Sequence, residues 1–160
     1  MHRKKLKITN DCEKLLHRAR RMRKALGGGM RQTGIIAAAA IYSLENIVPR
    51  LKDDHKNLRN IAQGIHSAGN PEIFVDLTVL ETNILLVRMK KPVAPKLCVR
   101  FSNVLEGEKG HLGFSLIVKC FPWDDYTIRF VTHVDISTEM AEKATQKIVY
   151  VIKTFNFDEK

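Results

Sequence analysis

Arginines and glycines set the chemistry this chain can attempt. Arg18, Arg20, Arg21, Arg23 and Lys24 crowd about a turn and a half of predicted helix. Gly27, Gly28 and Gly29 follow, and Arg31 stands where a second helix opens. Cations suit a helix end, where unpaired carbonyls carry partial negative charge. Glycine stops the helix because it enters left-handed backbone conformations cheaply. Three in a row exceed what a C-cap needs. A glycine loop that leads into a helix N-terminus, with an arginine at the junction, can hold an anion such as a phosphate. The same residues also read as a tight helix-to-helix turn with solvated arginines.

Other chemistry-bearing residues offer less. Cys12, Cys98 and Cys120 are odd in number and widely spaced. No CxxC or Cys/His metal spacing exists, so they read as reduced thiols, none of them a nucleophile. His55 falls on the apolar seam of a predicted helix with no second ligand nearby, and reads as a packed or hydrogen-bonded histidine.

The elements that must position these residues can be read in order. Leu15, Leu16, Ala19 and Met22 give a first helical seam that ends at the glycines, while residues 1–13 show no periodicity. The second helix is expected from Met30. Ile35, Ala39, Tyr42 and Val48 line one side of it, with Ile36, Ala40 and Ile47 beside them, and four alanines permit close packing. Pro49 opens a third helix, whose seam is Leu51, His55, Leu58, Ala62 and Ile65, with Asp53 and Asp54 on the wet face. Residues 73–80 and 82–89 are rich in β-branched side chains and read as strands. Leu97, Cys98, Phe101, Val104 and Leu105 space as an amphipathic helix. Gly107, Gly110 and Gly113 read as a loop, and residues 114–121 and 126–132 as two more strands turning at Pro122, Trp123, Asp124 and Asp125. Ser137 is a good N-cap for a last helix with a seam of Ala141, Ala144, Ile148, Val151, Ile152 and Phe155. The expectation is an α/β chain (an α+β C-terminal domain): connecting helices, then a small, mostly antiparallel sheet covered by helices on one face.

Composition narrows the function classes. The 160 residues suffice for one domain with a real core, at 44% hydrophobic and 28% charged. No apolar run approaches the roughly 20 residues that span a bilayer. The opening MHRKKLKITNDCEK is charged, with no apolar stretch of a secretory signal and no serine of a mitochondrial one. The net charge of +10 is lopsided: residues 1–31 carry +9 and the other 129 carry +1. The basic end has no aromatic residue, so nucleic-acid binding, which interleaves bases with aromatics, is a minor alternative.

The whole string RRMRKALGGGMRQTGIIAAAAIYSLENIV resembles the threonine aldolases, pyridoxal-phosphate lyases grouped with the aromatic amino-acid beta-eliminating lyases. LKDDHKNLRNIAQGI, VDLTVLETNILLV and IRFVTHVDIS continue the likeness, which covers nearly everything from about His17. It implies three parts: residues 1–16 an unmatched basic lead-in, 17–70 connecting helices with the Gly-rich turn, and 71–160 the small C-terminal α/β domain.

Site roles follow from the resemblance alone. The family's RxVTH motif falls on Arg129, implying a forked arginine that binds the substrate carboxylate, with His133 orienting the strand end. Arg31 would contact the phosphate of pyridoxal phosphate, reaching the cofactor of a neighbouring subunit in an oligomer. The Schiff-base lysine belongs to a segment upstream of the basic helix, and Lys4, Lys5 and Lys7 do not match it. Read so, the chain corresponds to the C-terminal half of an aldolase that cleaves threonine or allo-threonine to glycine and acetaldehyde, and is inactive alone. The implied partners are an amino-acid substrate and further copies of the chain in a homotetramer, in the cytoplasm, with no membrane. The alternatives are a non-catalytic oligomerisation partner of a full-length aldolase, and an anion- or nucleic-acid-binding basic protein.

Overall fold

The computed structural model describes residues 10–158, so Lys4, Lys5, Lys7 and most of the basic lead-in lie outside the described residues. The chain forms two compact units, one up to Ser43 and one from Leu44. Among the described residues no helix is long and apolar enough to cross a membrane.

The first unit holds α1 (Asn10–Ala25) and most of α2 (Thr33–Asn46). Helix α1 reaches back into the stretch expected to lack periodicity. Asp11 and Glu13 lie in its first turn, and Arg23 and Lys24 in its last, each charge at the favourable end. A Schellman cap ends it: the Gly28 amide donates to the Arg23 carbonyl at 2.7 Å and the Gly27 amide to the Lys24 carbonyl at 3.1 Å. Gly27 has φ +83°, and a Cβ on Gly28 would stand 2.9 Å from the Arg23 carbonyl oxygen. The cap therefore demands two of the three glycines. Helix α2 begins at Thr33 and not at Met30, leaving Arg31 and Gln32 in the preceding turn. The expected buried seam is not buried. Every α2 side chain is exposed, Ile35 by 78% and Tyr42 by 63%. Its apolar residues surround the axis and do not define a single face.

In the second unit the last residues of α2 are followed by a 3₁₀ turn, Val48–Arg50, with Pro49 in its first positions, that runs into α3 (Leu51–Ser67). The buried stripe of α3 is Asp54, Asn57, Leu58, Ile61, Ala62 and Ile65. Relative to expectation the stripe is rotated: Leu51 is exposed, His55 is half-buried and Asp54 faces inward. The cause is long-range. The Thr132 hydroxyl donates to the Asp54 carbonyl at 2.8 Å, and the Asn57 amide donates to the Ile136 carbonyl at 3.0 Å.

Four antiparallel strands follow: β1 (Ile73–Phe74), β2 (Ile84–Met89), β3 (Phe121–Asp124) and β4 (Thr127–Val131), in the order β1-β2-β4-β3. The first expected strand shrinks to two residues because Asp76 diverts the chain. Its carboxylate accepts from the Thr78 amide at 2.9 Å and hydroxyl at 2.6 Å, closing a turn. Leu85, Val87 and Met89 of β2 and Ile128 and Phe130 of β4 face inward, as the period-2 pattern requires. They join α3, α4 (Ala94–Ser102) and α6 (Thr138–Thr154) in one core. The helices thus lie on one face of an antiparallel sheet, as the α/β reading anticipates.

Two further expectations are corrected. Gly107 and Gly110 lie inside α5 (Glu106–Leu112), and Gly113 caps it with φ +75°. Residues 114–120 alternate in burial but make no strand. Their bonds go elsewhere: the Val118 amide donates to the Phe101 carbonyl at 3.1 Å, and the Leu116 carbonyl accepts from Lys147. Lys147, fully buried on α6, also donates to the Asn103 carbonyl at 2.8 Å and meets Glu108 Oε1 at 3.0 Å. Arg100 completes the cluster, 2.7 Å from Glu108 Oε2. Ser137 caps α6 as expected, its hydroxyl accepting from the Met140 amide at 3.2 Å.

Candidate functional site

The helix-free face of the sheet carries Arg129. Strand alternation turns Ile128, Phe130 and Thr132 inward and leaves Arg129 and Val131 on the other side. The register sets Leu86 of β2 and Phe121 of β3 opposite Arg129. Leu86 is 44% exposed and Phe121 59%, so the guanidinium rises from an apolar surface that is itself uncovered.

Trp123 shapes this surface. Pro122 pairs with Ile128 and Asp124 with Thr127, which leaves Trp123 as the extra residue of a bulge. Bulges re-aim side chains and strengthen local twist. Here the bulge brings the indole under Arg129, whose guanidinium carbon lies 5.9 Å from the ring centroid. That stacking holds the long side chain without consuming its hydrogen-bond donors. Among the described residues no carboxylate forms an ion pair with Arg129. Its fork is available to an external carboxylate.

The end of β4 is fastened from three sides. Asn83 and Thr132 bond both ways, Thr132 amide to Asn83 carbonyl at 3.2 Å and Asn83 side-chain amide to Thr132 carbonyl at 2.7 Å. Helix α3 holds the same segment through Asp54 and Asn57, and the Arg50 guanidinium donates to the Val134 carbonyl at 3.3 Å. Arg129 thus stands three residues from a rigid anchor. His133 is exposed beyond that anchor, its Nδ1 3.4 Å from Asp135 Oδ2.

Arg31 belongs to the first unit, exposed in the turn after the Schellman glycines. It and Arg129 sit in different units, and each is described only within its own. Sequence reasoning missed Trp123, which it placed in a turn, and Asn83, to which it gave no role. The signal for Asn83 was the polar residue breaking an apolar run just before β2. Nothing local marks Trp123, because the bulge depends on how β3 pairs. Among the described residues no group of three His, Cys, Asp or Glu side chains could hold a metal ion.

Comparison with known proteins puts this geometry in context. The beta-eliminating lyase family model matches residues 8–91, just over half of the chain and a stretch that ends before Arg129. The chain is 39% identical over 132 residues to the low specificity L-threonine aldolase of Escherichia coli (strain K12), covering 81% of this chain and 33% of that protein. It is 36% identical over 125 residues to the probable low-specificity L-threonine aldolase 2 of Arabidopsis thaliana, covering 78% and 32%. Over a shorter stretch of 52 residues it is 44% identical to the probable low-specificity L-threonine aldolase of Schizosaccharomyces pombe, covering 32% and 14%. The chain spans about a third of the length of the first two relatives. With the glycine-capped basic helix inside the matched residues, the chain belongs to the beta-eliminating lyase family.

Proposed function

We propose that this chain supplies the substrate-carboxylate arm of a pyridoxal-phosphate-dependent threonine aldolase, which cleaves threonine or allo-threonine to glycine and acetaldehyde. One observation carries the reading: a half-buried arginine on the open sheet face, stacked on Trp123, with no acidic partner among the described residues. The names of the relatives supply the reaction and the substrate class. Two parallel N–H···O bonds from Arg129 fix the amino-acid carboxylate in plane, which orients the bond to be broken. Leu86 and Phe121 flank that ion pair with apolar surface.

The cofactor fits this chain only in part. Pyridoxal phosphate needs a lysine for attachment and cationic donors for its phosphate. Arg31, exposed beside a glycine-capped helix end, would supply one such donor. Lys147, the one fully buried lysine among the described residues, is held by Glu108 and two backbone carbonyls and is not available as the attachment point. By the resemblance the attachment lysine lies in a segment upstream of the basic helix, so on this reading the cleavage step needs more than these 160 residues. The working enzyme is a cytoplasmic homo-oligomer, a tetramer by the resemblance, with three sequence regions at 1–16, 17–70 and 71–160.

The test is to incubate one sample of the 160-residue chain with pyridoxal phosphate followed by borohydride, and a separate sample with pyridoxal phosphate and allo-threonine. The expected result is no single pyridoxyl-lysine and no acetaldehyde. Cleavage by this chain alone would overturn the reading. A second role, as a non-catalytic partner of a full-length aldolase, is favoured by α2, whose apolar side chains are all exposed. Oligomers reuse the same apolar patch on each copy. A clean monomer at high concentration would dispose of that role.

A further inference from the structure

Cys98 and Cys120 are 22 residues apart in sequence and adjacent in the fold. Cys98 lies on the buried side of α4 and is 7% exposed. Cys120 is the residue before β3, at the end of the stretch that pairs with no strand. Both thiols are free, and the Cys120 thiol donates to the Cys98 sulfur at an Sγ···Sγ distance of 3.3 Å. Two sulfurs with no third ligand nearby do not make a metal site among the described residues. They do make a place where one bond can form.

We propose that Cys98 and Cys120 are a reversible oxidation site that closes to an intrachain disulfide under peroxide and ties α4 to the strand beneath Arg129. A disulfide needs sulfurs about 2.05 Å apart, so the pair must approach by a little over 1 Å. Cys120 lies between the Val118 amide bonded to Phe101 and the start of β3, so the movement falls to the two cysteine side chains. The hydrogen bond from Cys120 holds the Cys98 thiol below its ordinary range, and the same bond together with burial pushes Cys120 up. Within this proposal Cys98 is the attacking thiolate and Cys120 the resolving thiol.

The step balances with peroxide as the oxidant. The Cys98 thiolate attacks one peroxide oxygen, the O–O bond breaks, and hydroxide leaves and takes a proton to become water. Cys98 is then a sulfenic acid. The Cys120 sulfur attacks the Cys98 sulfur, the S–O bond breaks, and the second oxygen leaves as water with the Cys120 proton. Two thiols are oxidised by two electrons and one peroxide is reduced to two waters. A dithiol reductant reverses the product by exchange.

The consequence reaches the open sheet face. Phe121 follows Cys120 directly and pairs with Arg129, and Trp123 carries the guanidinium. A cross-link at Cys120 would pin the start of the strand that shapes this surface. Trp123 is the single tryptophan of the chain, so its emission reports the change without interference. The inference rests on the thiol geometry and stands or falls independently of the aldolase reading.

The experiment uses the 160-residue chain with Cys12→Ser, which removes the exposed thiol of α1 as a source of links between chains. The protein is treated with hydrogen peroxide, unfolded, alkylated and weighed, and then digested to find cross-linked peptides. The expected result is loss of both alkylatable thiols, a single cross-link joining Cys98 and Cys120, a shift in Trp123 emission, and full return of all three readouts with dithiothreitol. In Cys120→Ser, Cys98 is expected to yield a sulfenic acid trapped by dimedone. Two thiols still alkylatable after peroxide, links only between chains, or irreversible oxidation of either sulfur would each overturn the proposal.

Discussion

Replacing Lys147 by methionine keeps the volume of the side-chain stem and removes the charge from the most enclosed ionic cluster of the second unit. Lys147 is 0% exposed and Glu108 is 1%, so neither end of their 3.0 Å contact is relieved by water. Breaking a buried pair by deleting one partner costs about 3–5 kcal/mol, since the remaining charge stays desolvated. Arg100 still holds Glu108 at 2.7 Å, which places the loss toward the lower half of that range. The Asn103 and Leu116 carbonyls also lose their donor, and an orphaned buried acceptor costs about 1–3 kcal/mol. The two losses overlap, and about 4 kcal/mol is the expected total. With a urea dependence of about 2 kcal/mol/M, the unfolding midpoint followed by Trp123 emission should fall by about 2 M. Adding Glu108→Leu to Lys147→Met should cost much less than the sum of the singles, because the uncompensated carboxylate is gone. A midpoint within about 0.3 M of the unsubstituted chain, by the same urea dependence, would refute the reasoning. It would mean that residues 103–118 are not anchored through Lys147.

Burial raises the Glu108 carboxyl, but hydrogen bonds and charge from Arg100 and Lys147 outweigh it and hold it below its ordinary 4.5. A depressed folded value contributes stability that is present above the unfolded value and lost as pH falls through the folded one. The urea midpoint should therefore drop below about pH 4.5, and Glu108→Gln should be less stable at neutral pH with a flatter acid limb. Gly64 lets α3 meet α6: a Cβ there would stand 2.3 Å from Thr145 Cγ2, and the Thr145 hydroxyl is committed to the Ala141 carbonyl at 2.8 Å. Gly64→Ala should lower stability by about 1–3 kcal/mol despite its better helix propensity, with Thr145→Ala restoring most of it in a thermal melt. Ser137→Ala should cost about 1 kcal/mol through the lost cap on α6, read in the same melt.

Legibility in the sequence followed the range of the forces involved. The α6 seam and its Ser137 cap were readable because both depend on neighbours within a turn or two. The α3 stripe was readable only to within a rotation. The Asn57 side chain is drawn inward by its bond to Ile136, and the Asp54 main-chain carbonyl accepts from Thr132, each nearly 80 residues away. Residues 114–120 show why alternation does not equal pairing: burial alternates, yet the backbone's partners are a lysine and a helix end. Helix α5 was hidden by its glycines, whose low propensity is overridden by the ion cluster that seats Glu108. Arg129 was singled out by its motif, with its role still a proposal, and the bulge that sets Trp123 under it could not be read from the sequence. The thiol pair was invisible for the same reason, since only the packing of α4 against β3 unites it.

Kinetics of Arg129→Lys in the native holoenzyme, captured from its source with an antibody against α6, test the central claim most directly. Lysine keeps the charge and loses the fork, so about 1.5–3 kcal/mol of charge-assisted hydrogen bonding is at stake. The prediction is threonine cleavage by the unsubstituted enzyme and a fall in kcat/KM of about tenfold to a hundredfold in the variant, with KM raised. A native protein that cleaves neither threonine nor allo-threonine, or a variant with unchanged kcat/KM, would contradict the account.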